Sequence, residues 1–257
     1  VKLLQHVFSA KYPKAKVHFR NMKQFFTFFE ENAKLVRILL LIKQCLSGVS
    51  QPGRASTGNE ETAMGVDQDF EFELYHKWQR GTLNLITDVP GVRVGHTTRT
   101  DPEKGVHTGC TVILPHSGNL FRDKCMAGAA VLNGFGKSAG LIQVEELGTI
   151  ETPIVLTSTF SVGTALNALV HRAIDENPEI GVTTGTVNSV VMECNDGELN
   201  DIRGCHLTED DVHHAIGSAD SVFEEGAVGG GAGMICMDLK GGIGSASRLV
   251  PMDGKEY

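Results

Sequence analysis

Hydrophobic and polar residues follow two different periodicities from residue 83 onward, and these predict alternating strands and helices. Short apolar runs bounded by turn residues are typical of buried strands, whereas apolar residues three and four positions apart are typical of helices. The strand pattern occurs at 92–94, 110–114, 153–157 and 187–192. The helix pattern occurs at 138–147, 162–174 and 208–222. Their alternation predicts the α/β class.

The ends of the predicted helices carry specific signals. Gly148 stands where a helix commonly ends in a left-handed glycine. The second helix is expected to stop before Asn177 and Pro178, because proline disfavours helical backbone in the residue before it. Thr208 and Asp211 have the spacing of a capping box at the start of the third helix.

The most unusual composition lies at 224–236 and 241–247, where glycine is dense. Glycine costs backbone entropy in a regular element, so it is concentrated where a positive φ or a close approach is needed. Apolar residues lie inside the stretch, which argues against a flexible linker. Two interpretations are open. The backbone wraps around a substrate or forms a self-cleavage loop, with Gly230 and Gly231 binding the substrate, or the stretch is a bulge or tight sheet corner.

A phosphate-binding loop is the first alternative to test, because glycine-rich loops can present N–H groups to an anion. Gly136-Lys137-Ser138 resembles the end of a P-loop, but Val131 stands where the first glycine is required. Residues 134–139 fit a looser dinucleotide-binding pattern, yet no carboxylate follows at the ribose spacing. The spacing therefore does not favour nucleotide binding.

Residues 1–80 differ in amino-acid composition from the rest of the chain and are predicted to form an appendage that is partly helical or disordered. An amphipathic helix is expected over 23–46. Its apolar run at 35–42 is too short, and too interrupted by charge, to span a bilayer. Glu30 and Glu31 do not fit the basic start of a signal peptide. Residues 81–257 are expected to form the main domain, and no membrane interaction is expected.

Charge and cysteine content narrow the range of partners. A net charge of −8 and a pI of about 5.7 provide no basic surface for nucleic acid or an anionic membrane. The six cysteines include no C-x-x-C pair, and the histidines show no ligand spacing. We therefore expect no metal and no nucleic-acid partner. Reduced thiols in a cytoplasmic protein are the expected state of the cysteines.

Five segments carry motifs that are specific when taken together. They are TDVPGVRVGHTT at 87–98, LNGFGK at 132–137, QVEELG at 143–148, ECNDGELNDI at 193–202 and the glycines at 225–233. In this order they resemble the family of DmpA-type D-aminopeptidases/esterases and β-peptidyl aminopeptidases. The resemblance covers roughly 81–257, about two thirds of the chain, and leaves the first 80 residues unmatched.

The resemblance implies an autoproteolytic hydrolase of the N-terminal-nucleophile (Ntn) type, with a layered αββα sandwich that is incomplete at the C-terminus of this chain. Such enzymes are cleaved into an α chain and a smaller β chain, and a homo-oligomer of αβ units is expected. The nucleophilic Ser or Thr begins the β chain and uses its own α-amine as base, so no cofactor is required. The family's nucleophile and its oxyanion-binding Asn lie downstream of the segment that 249–257 resembles, so this fragment alone is expected to be inactive.

The substrate implied by the resemblance is a small peptide, amide or ester with a free amine, and the missing β-chain segment is the implied partner. Ser245 and Ser247 do not match the position of the nucleophile and are expected to be structural. The alternative function is a catalytically inactive binding or scaffold protein that keeps the fold.

The residues present are expected to form the wall of the pocket opposite the nucleophile. Glu193 is the main candidate for binding the substrate's ammonium, and a solvated loop acid is the alternative. Asn195 lies near the position where DmpA-like members carry an oxyanion-binding tyrosine, and its amide N–H could replace that group. Asp196 and Asn200 are further substrate-binding candidates, with Asx turns as the alternative. Cys194 is expected to be a buried small residue.

Overall fold

The computed structural model describes residues 78–131, 134–236, 238–252 and 255–256. The predicted appendage at 1–80, with its amphipathic helix at 23–46, lies outside this part of the chain except for its last three residues. Its assignment therefore stays a prediction. Within the described ranges, no helix is long and apolar enough to cross a lipid bilayer.

The described chain alternates strands and helices. The strands are β1 (Arg93–Asp101), β2 (Val106–Leu114), β3 (Cys125–Met126), β4 (Thr149–Ile150), β5 (Ile154–Ser158), β6 (Val190–Cys194), β7 (Ile235–Cys236), β8 (Leu239–Lys240), β9 (Pro251–Met252) and β10 (Lys255–Glu256). The α-helices are α1 (Leu141–Leu147), α2 (Val162–Glu176) and α3 (Glu209–Gly217).

Four strands form the central sheet, in the order β1-β2-β5-β6. β1 and β2 form an antiparallel hairpin, and β5 pairs antiparallel with β2. β5 and β6 are parallel, with α2 as the crossover that a parallel pair requires. The carboxyl ends of these two strands therefore lie side by side.

The two faces of the sheet are covered differently. One face packs against α2 and α3 through side chains that alternate along the strands, such as Cys110, Val112 and Val155. The other face packs against Val228 and Ile243 from the glycine-rich stretch. A short 3-10 turn, Gly229–Gly231, lies on that second face.

The predicted helix signals at Gly148, Asn177 and Thr208 are confirmed. Gly148 follows α1 with φ of 69°, and its N–H donates to the carbonyl of the fourth residue before it. The Asn177 side chain donates to the carbonyl of Ala173 at 2.9 Å and ends α2. Thr208 and Asp211 form the predicted capping box of α3.

Several predicted boundaries are wrong: the strand predicted at 92–94 extends to Asp101, and the one predicted at 110–114 starts at Val106. At two further boundaries the structure shows what replaces the local pattern. α1 starts at Leu141 rather than at residue 138, because Gly140 has φ of 82° immediately before it. α3 ends at Gly217 rather than near residue 222, because Asp220 exchanges two backbone hydrogen bonds with Val94, each 3.0 Å long. β6 starts at Val190 rather than at residue 187.

Candidate functional site

Glu193 lies near the carboxyl end of β6, where two neutral donors hold its side chain. One carboxylate oxygen, Oε1, accepts a hydrogen bond from the hydroxyl of Thr159. The other, Oε2, accepts one from the backbone N–H of Lys137 at 3.1 Å. The Glu193 N–H donates to Oγ of Ser138 at 3.1 Å. The carboxylate of this half-buried residue is therefore fixed in orientation by a hydroxyl and an amide.

The loop that reaches Glu193 depends on a glycine and on a short bridge to β6. Ala139 and Val191 exchange backbone hydrogen bonds of 2.8 and 3.2 Å. A Cβ atom at Gly136 would lie 2.6 Å from Oε2 of Glu193, which is closer than real contacts allow. Glycine thus lets the chain pass near enough for Lys137 to donate its N–H. Gly136 and Lys137, which resemble the end of a P-loop, therefore contact the carboxylate of Glu193.

Among the described residues, no neighbouring side chain neutralises the negative charge of Glu193. In the part of the chain that the structure describes, no lysine, arginine or histidine forms an ion pair with it. The ammonium of Lys137 instead donates to the carbonyl of Phe135 at 2.8 Å and lies 4.2 Å from the centre of its ring. Glu193 can therefore bind a cationic group through a charge-assisted hydrogen bond.

Asn195 follows β6 and is exposed to solvent. Its Oδ1 accepts a hydrogen bond from the N–H of Gly197 at 2.8 Å, which forms an Asx turn. The alternative that Asp196 and Asn200 make such turns is wrong, because both side chains point into the protein. The exposed amide of Asn195 lies two residues beyond Glu193, at the same end of the sheet.

Asp196 and Asn200 tie the loop after β6 to the start of β2. Asp196 is 1% exposed, and its Oδ2 accepts a hydrogen bond from the hydroxyl of Thr108 at 2.6 Å. Asn200 is 7% exposed, and its Oδ1 accepts from the N–H of His107 at 3.1 Å. Oδ1 of Asp196 is buried without a hydrogen-bond partner among the described residues. These contacts give both residues a bracing role, and their contact with substrate stays a prediction.

The glycine-rich turn uses its own N–H groups inside the protein. These groups of Gly229–Gly231 donate, in order, to Thr98 Oγ1 at 2.8 Å, Thr111 Oγ1 at 3.1 Å and the Val228 carbonyl at 2.8 Å. A Cβ atom at Gly230 would lie 2.6 Å from the carbonyl oxygen of Leu156. The turn is neither a bulge nor a sheet corner. The N–H groups of Gly230 and Gly231 are engaged in hydrogen bonds within the protein, and the predicted contact of these two residues with substrate stays a prediction.

His96, which lies within the first motif but is not among the predicted site residues, supports this turn from β1. Its Nε2 lies 3.1 Å from the carbonyl of Glu224, and its Nδ1 lies 2.9 Å from Oγ1 of Thr111. A carbonyl only accepts, so Nε2 carries the proton and Nδ1 accepts from the Thr111 hydroxyl. That hydroxyl in turn accepts from the N–H of Gly230. The neutral ring thus completes a chain of hydrogen bonds to the glycine-rich turn.

Replacing His96 with glutamine is expected to flatten the pH dependence of stability. Burial lowers the pKa of His96 below its ordinary value, against the opposing effects of the Glu224 carbonyl and carboxylate. The folded protein therefore favours the neutral ring. This contribution is fully present above the unfolded pKa of about 6.5 and is lost as pH falls from there through the lower pKa of the folded protein.

Urea denaturation of both proteins at several pH values between about 7.5 and 5.5 measures this effect. The wild-type free energy of unfolding should fall more steeply with decreasing pH than that of His96→Gln. One proton limits the difference in slope to about 1.4 kcal/mol per pH unit. Equal slopes would contradict a neutral His96 in the folded state.

Cys194 and Cys110 differ in their exposure to solvent. Cys194 is exposed, so the prediction that it is buried is wrong, because it lies at the very end of β6. Burial raises the pKa of the Cys110 thiol to about 12, and the charge of Asp211 acts in the same direction. Within the described ranges, no group of three His, Cys, Asp or Glu side chains is placed to hold a metal ion.

Ser245 and Ser247 hold the segment after the glycine-rich stretch against the start of the domain. Oγ of Ser245 accepts a hydrogen bond from the N–H of Ile86 at 2.6 Å. The Ser247 hydroxyl donates to the carboxylate of Asp88. Both contacts agree with the structural role expected for these serines.

Comparison with known sequences identifies the family. Residues 84–257, more than half of the chain, match peptidase family S58. The chain belongs to this family. The resemblance inferred from the five motif segments is therefore confirmed. Peptidase family S58 is a family of serine-type hydrolases, which makes this chain part of an enzyme family.

Curated relatives of this S58 chain are aminopeptidases. The β-peptidyl aminopeptidase BapA of Sphingosinicella microcystinivorans is 40% identical over 185 residues, covering 69% of this chain and 46% of the relative. The chain spans about half the length of the curated relatives it matches.

Solved structures of similar chains show the fold. The PH0078 protein from Pyrococcus horikoshii OT3 is 54% identical with a TM-score of 0.68, covering 70% of this chain and 53% of that one. The L-aminopeptidase D-Ala-esterase/amidase from Ochrobactrum anthropi is 35% identical with a TM-score of 0.62, covering 70% and 52%. The latter is a serine aminopeptidase with a variant of the Ntn-hydrolase fold. The predicted fold class of this S58 chain is confirmed.

Proposed function

We propose that this chain supplies the amine-binding part of a serine-type aminopeptidase acting on small peptides, amides or esters. The observation that carries the proposal is the Glu193 carboxylate, held by neutral donors and not neutralised by a described cation. A substrate ammonium loses hydration when it enters a pocket, and an opposite charge offsets that cost. The relatives named as a β-peptidyl aminopeptidase and an L-aminopeptidase support this assignment.

The proposed reaction is acyl transfer to a hydroxyl nucleophile followed by hydrolysis. A Ser or Thr at a new N-terminus attacks the acyl carbon, and its own α-amine takes the proton. We propose that this residue belongs to the part of the family sequence that the chain does not span, and that self-cleavage into α and β chains exposes it. Asn195 is proposed to direct its amide N–H toward the oxyanion.

The assembly and location of the enzyme are proposals of the same kind. We propose a homo-oligomer of αβ units in the cytoplasm. The free thiols of Cys110, Cys125 and Cys205 fit a reducing compartment. Light scattering on protein expressed from the complete gene measures its mass, and the mass of one αβ unit would contradict the oligomer.

The proposed function is tested with two substrates that differ only in the amine. Alanine p-nitroanilide carries an ammonium, whereas N-acetyl-alanine p-nitroanilide has the same scissile bond without it. For protein expressed from the complete gene, we expect kcat/KM to be at least about tenfold higher for alanine p-nitroanilide than for the acetylated substrate. This factor corresponds to the free energy of one charge-assisted hydrogen bond. Equal rates would contradict amine recognition. Binding of the amine without turnover would favour the scaffold alternative.

A further inference from the structure

We propose that Thr159 is a positioning residue that sets how strongly Glu193 selects a substrate's ammonium. This inference rests on the proposed function, since it concerns the same carboxylate. Thr159 donates its hydroxyl proton to Oε1 of Glu193. It would act through Glu193 rather than by touching the reacting atoms.

The location of Thr159 is fixed by the strand that precedes it and the helix that follows it. It is 8% exposed and starts the 3-10 turn Thr159–Ser161, which joins β5 directly to α2. The parallel register pairs Thr157 with Glu193 and Ser158 with Cys194. The residue that follows β5 therefore arrives beside the Glu193 side chain. Its hydroxyl is held by a strand and a helix, whereas the second donor, Lys137, belongs to a loop.

Two donors on different oxygens orient the carboxylate and leave room for a third. An ionised carboxylate has about four acceptor sites. Thr159 uses one on Oε1, and the Lys137 N–H uses one on Oε2. One site on each oxygen can therefore face the same ammonium. Without the Thr159 hydroxyl, the loop contact is the one hydrogen bond that the described residues leave to the carboxylate side chain, and binding must then include the cost of ordering this side chain.

Two other acidic side chains of the domain are held in a different way. Oε2 of Glu151 lies 2.9 Å from the ammonium of Lys124, and Oδ1 of Asp211 lies 2.7 Å from the guanidinium of Arg99. Both acids are buried, and both are neutralised by a cation. Glu193 is only half-buried and has neutral donors instead. This arrangement leaves the charge of Glu193 available to a cation that a ligand supplies.

A structural hydrogen bond that merely ties α2 to β6 is the competing explanation, and three variants separate the two. Thr159→Val removes the hydroxyl while keeping the shape, and Thr159→Ser keeps the hydroxyl. Thr157→Val is the matched control, because the Thr157 hydroxyl is also buried but donates to the carbonyl of Gly109 at 2.9 Å. The readout is the ratio of kcat/KM for alanine p-nitroanilide to that for N-acetyl-alanine p-nitroanilide.

We expect Thr159→Val to lower this ratio about tenfold, mainly through a higher KM for the amine substrate. Thr159→Ser should restore most of the wild-type ratio, and Thr157→Val should keep it. Gly136→Ala places a methyl group against Oε2, the oxygen that accepts from Lys137, and should displace the carboxylate and lower the same ratio. This variant still tests whether the position of the carboxylate sets the ratio if Thr159→Val does not fold.

The outcomes distinguish this inference from the proposed function. If Glu193→Gln lowers the ratio but Thr159→Val does not, Thr159 has no positioning role, whatever the result for Gly136→Ala, and the proposed function stands. An equal fall for Thr157→Val and Thr159→Val would also overturn the inference, because it would show a general effect on the fold. A wild-type ratio near one would contradict the proposed function itself.

Discussion

Glu193→Gln is expected to lower kcat/KM about ten- to a hundredfold for substrates that carry a free amine. Glutamine keeps the shape of the side chain but removes its charge, so the ammonium loses a charge-assisted hydrogen bond. The Thr159 hydroxyl and the Lys137 N–H donate to different oxygens of Glu193. In glutamine an NH2 group takes the place of one oxygen, so one of these two donors loses its acceptor. The orientation of the group is therefore weakened together with its charge.

The measurement uses protein expressed from the complete gene and includes two controls. Rates on N-acetyl-alanine p-nitroanilide should change little, because this substrate has no ammonium. Glu198→Gln makes the same change of charge at an exposed residue of the adjoining loop and should behave as wild type. The proposed self-cleavage into α and β chains should also persist, since the precursor presents no free amine before the cut. Equal losses on both substrates would show that Glu193 does not bind the amine.

Gly230→Ala is expected to cause a large loss of stability. The new Cβ would lie 2.6 Å from the carbonyl oxygen of Leu156, in a central strand that cannot move aside. Overpacking of this kind typically costs about 1–3 kcal/mol, and contact with backbone places this case at the upper end. For a domain of this size, the melting temperature should fall by about 6–12 °C.

Gly163→Ala is the matched control for this substitution. A Cβ at Gly163 meets no atom within 4 Å, and the residue lies in the first turn of α2. Alanine favours helix over glycine, so this variant should be neutral or slightly more stable. Differential scanning calorimetry on both variants provides the comparison. A Gly230→Ala protein as stable as Gly163→Ala would refute the close packing of the turn.

The fold can be predicted from the sequence where the local pattern decides the structure. α2 shows a clear helical period between a defined start and Asn177, and its prediction differs from the structure by only two residues at one end. The pattern indicates β1 only at its beginning. Much of its length is exposed, so threonines and charged residues replace the apolar alternation that identifies a strand. The early end of α3 depends on Asp220, whose partner Val94 is remote in sequence.

The candidate site can be predicted only in part, for the same reason. Glu193 is identifiable because it directly follows the apolar residues of the predicted strand and lies within a recognisable motif. Thr159 and Lys137 are not, since their contact with Glu193 depends on the pairing of β5 with β6 and on the path of a loop. The rule that functional groups gather at the carboxyl ends of neighbouring parallel strands indicates Thr159 only once the strand order is known.

The anchoring of the glycine-rich turn also bears on the order of folding. Gly229–Gly231 bonds to Thr98 and Thr111 across 131 and 119 residues of chain. The hairpin of β1 and β2, in contrast, closes through the few residues between Asp101 and Val106. Closing a long loop costs chain entropy before its contacts compensate, so the hairpin should pair early and the turn should dock late. Substitutions in the turn should therefore accelerate unfolding more than they slow folding.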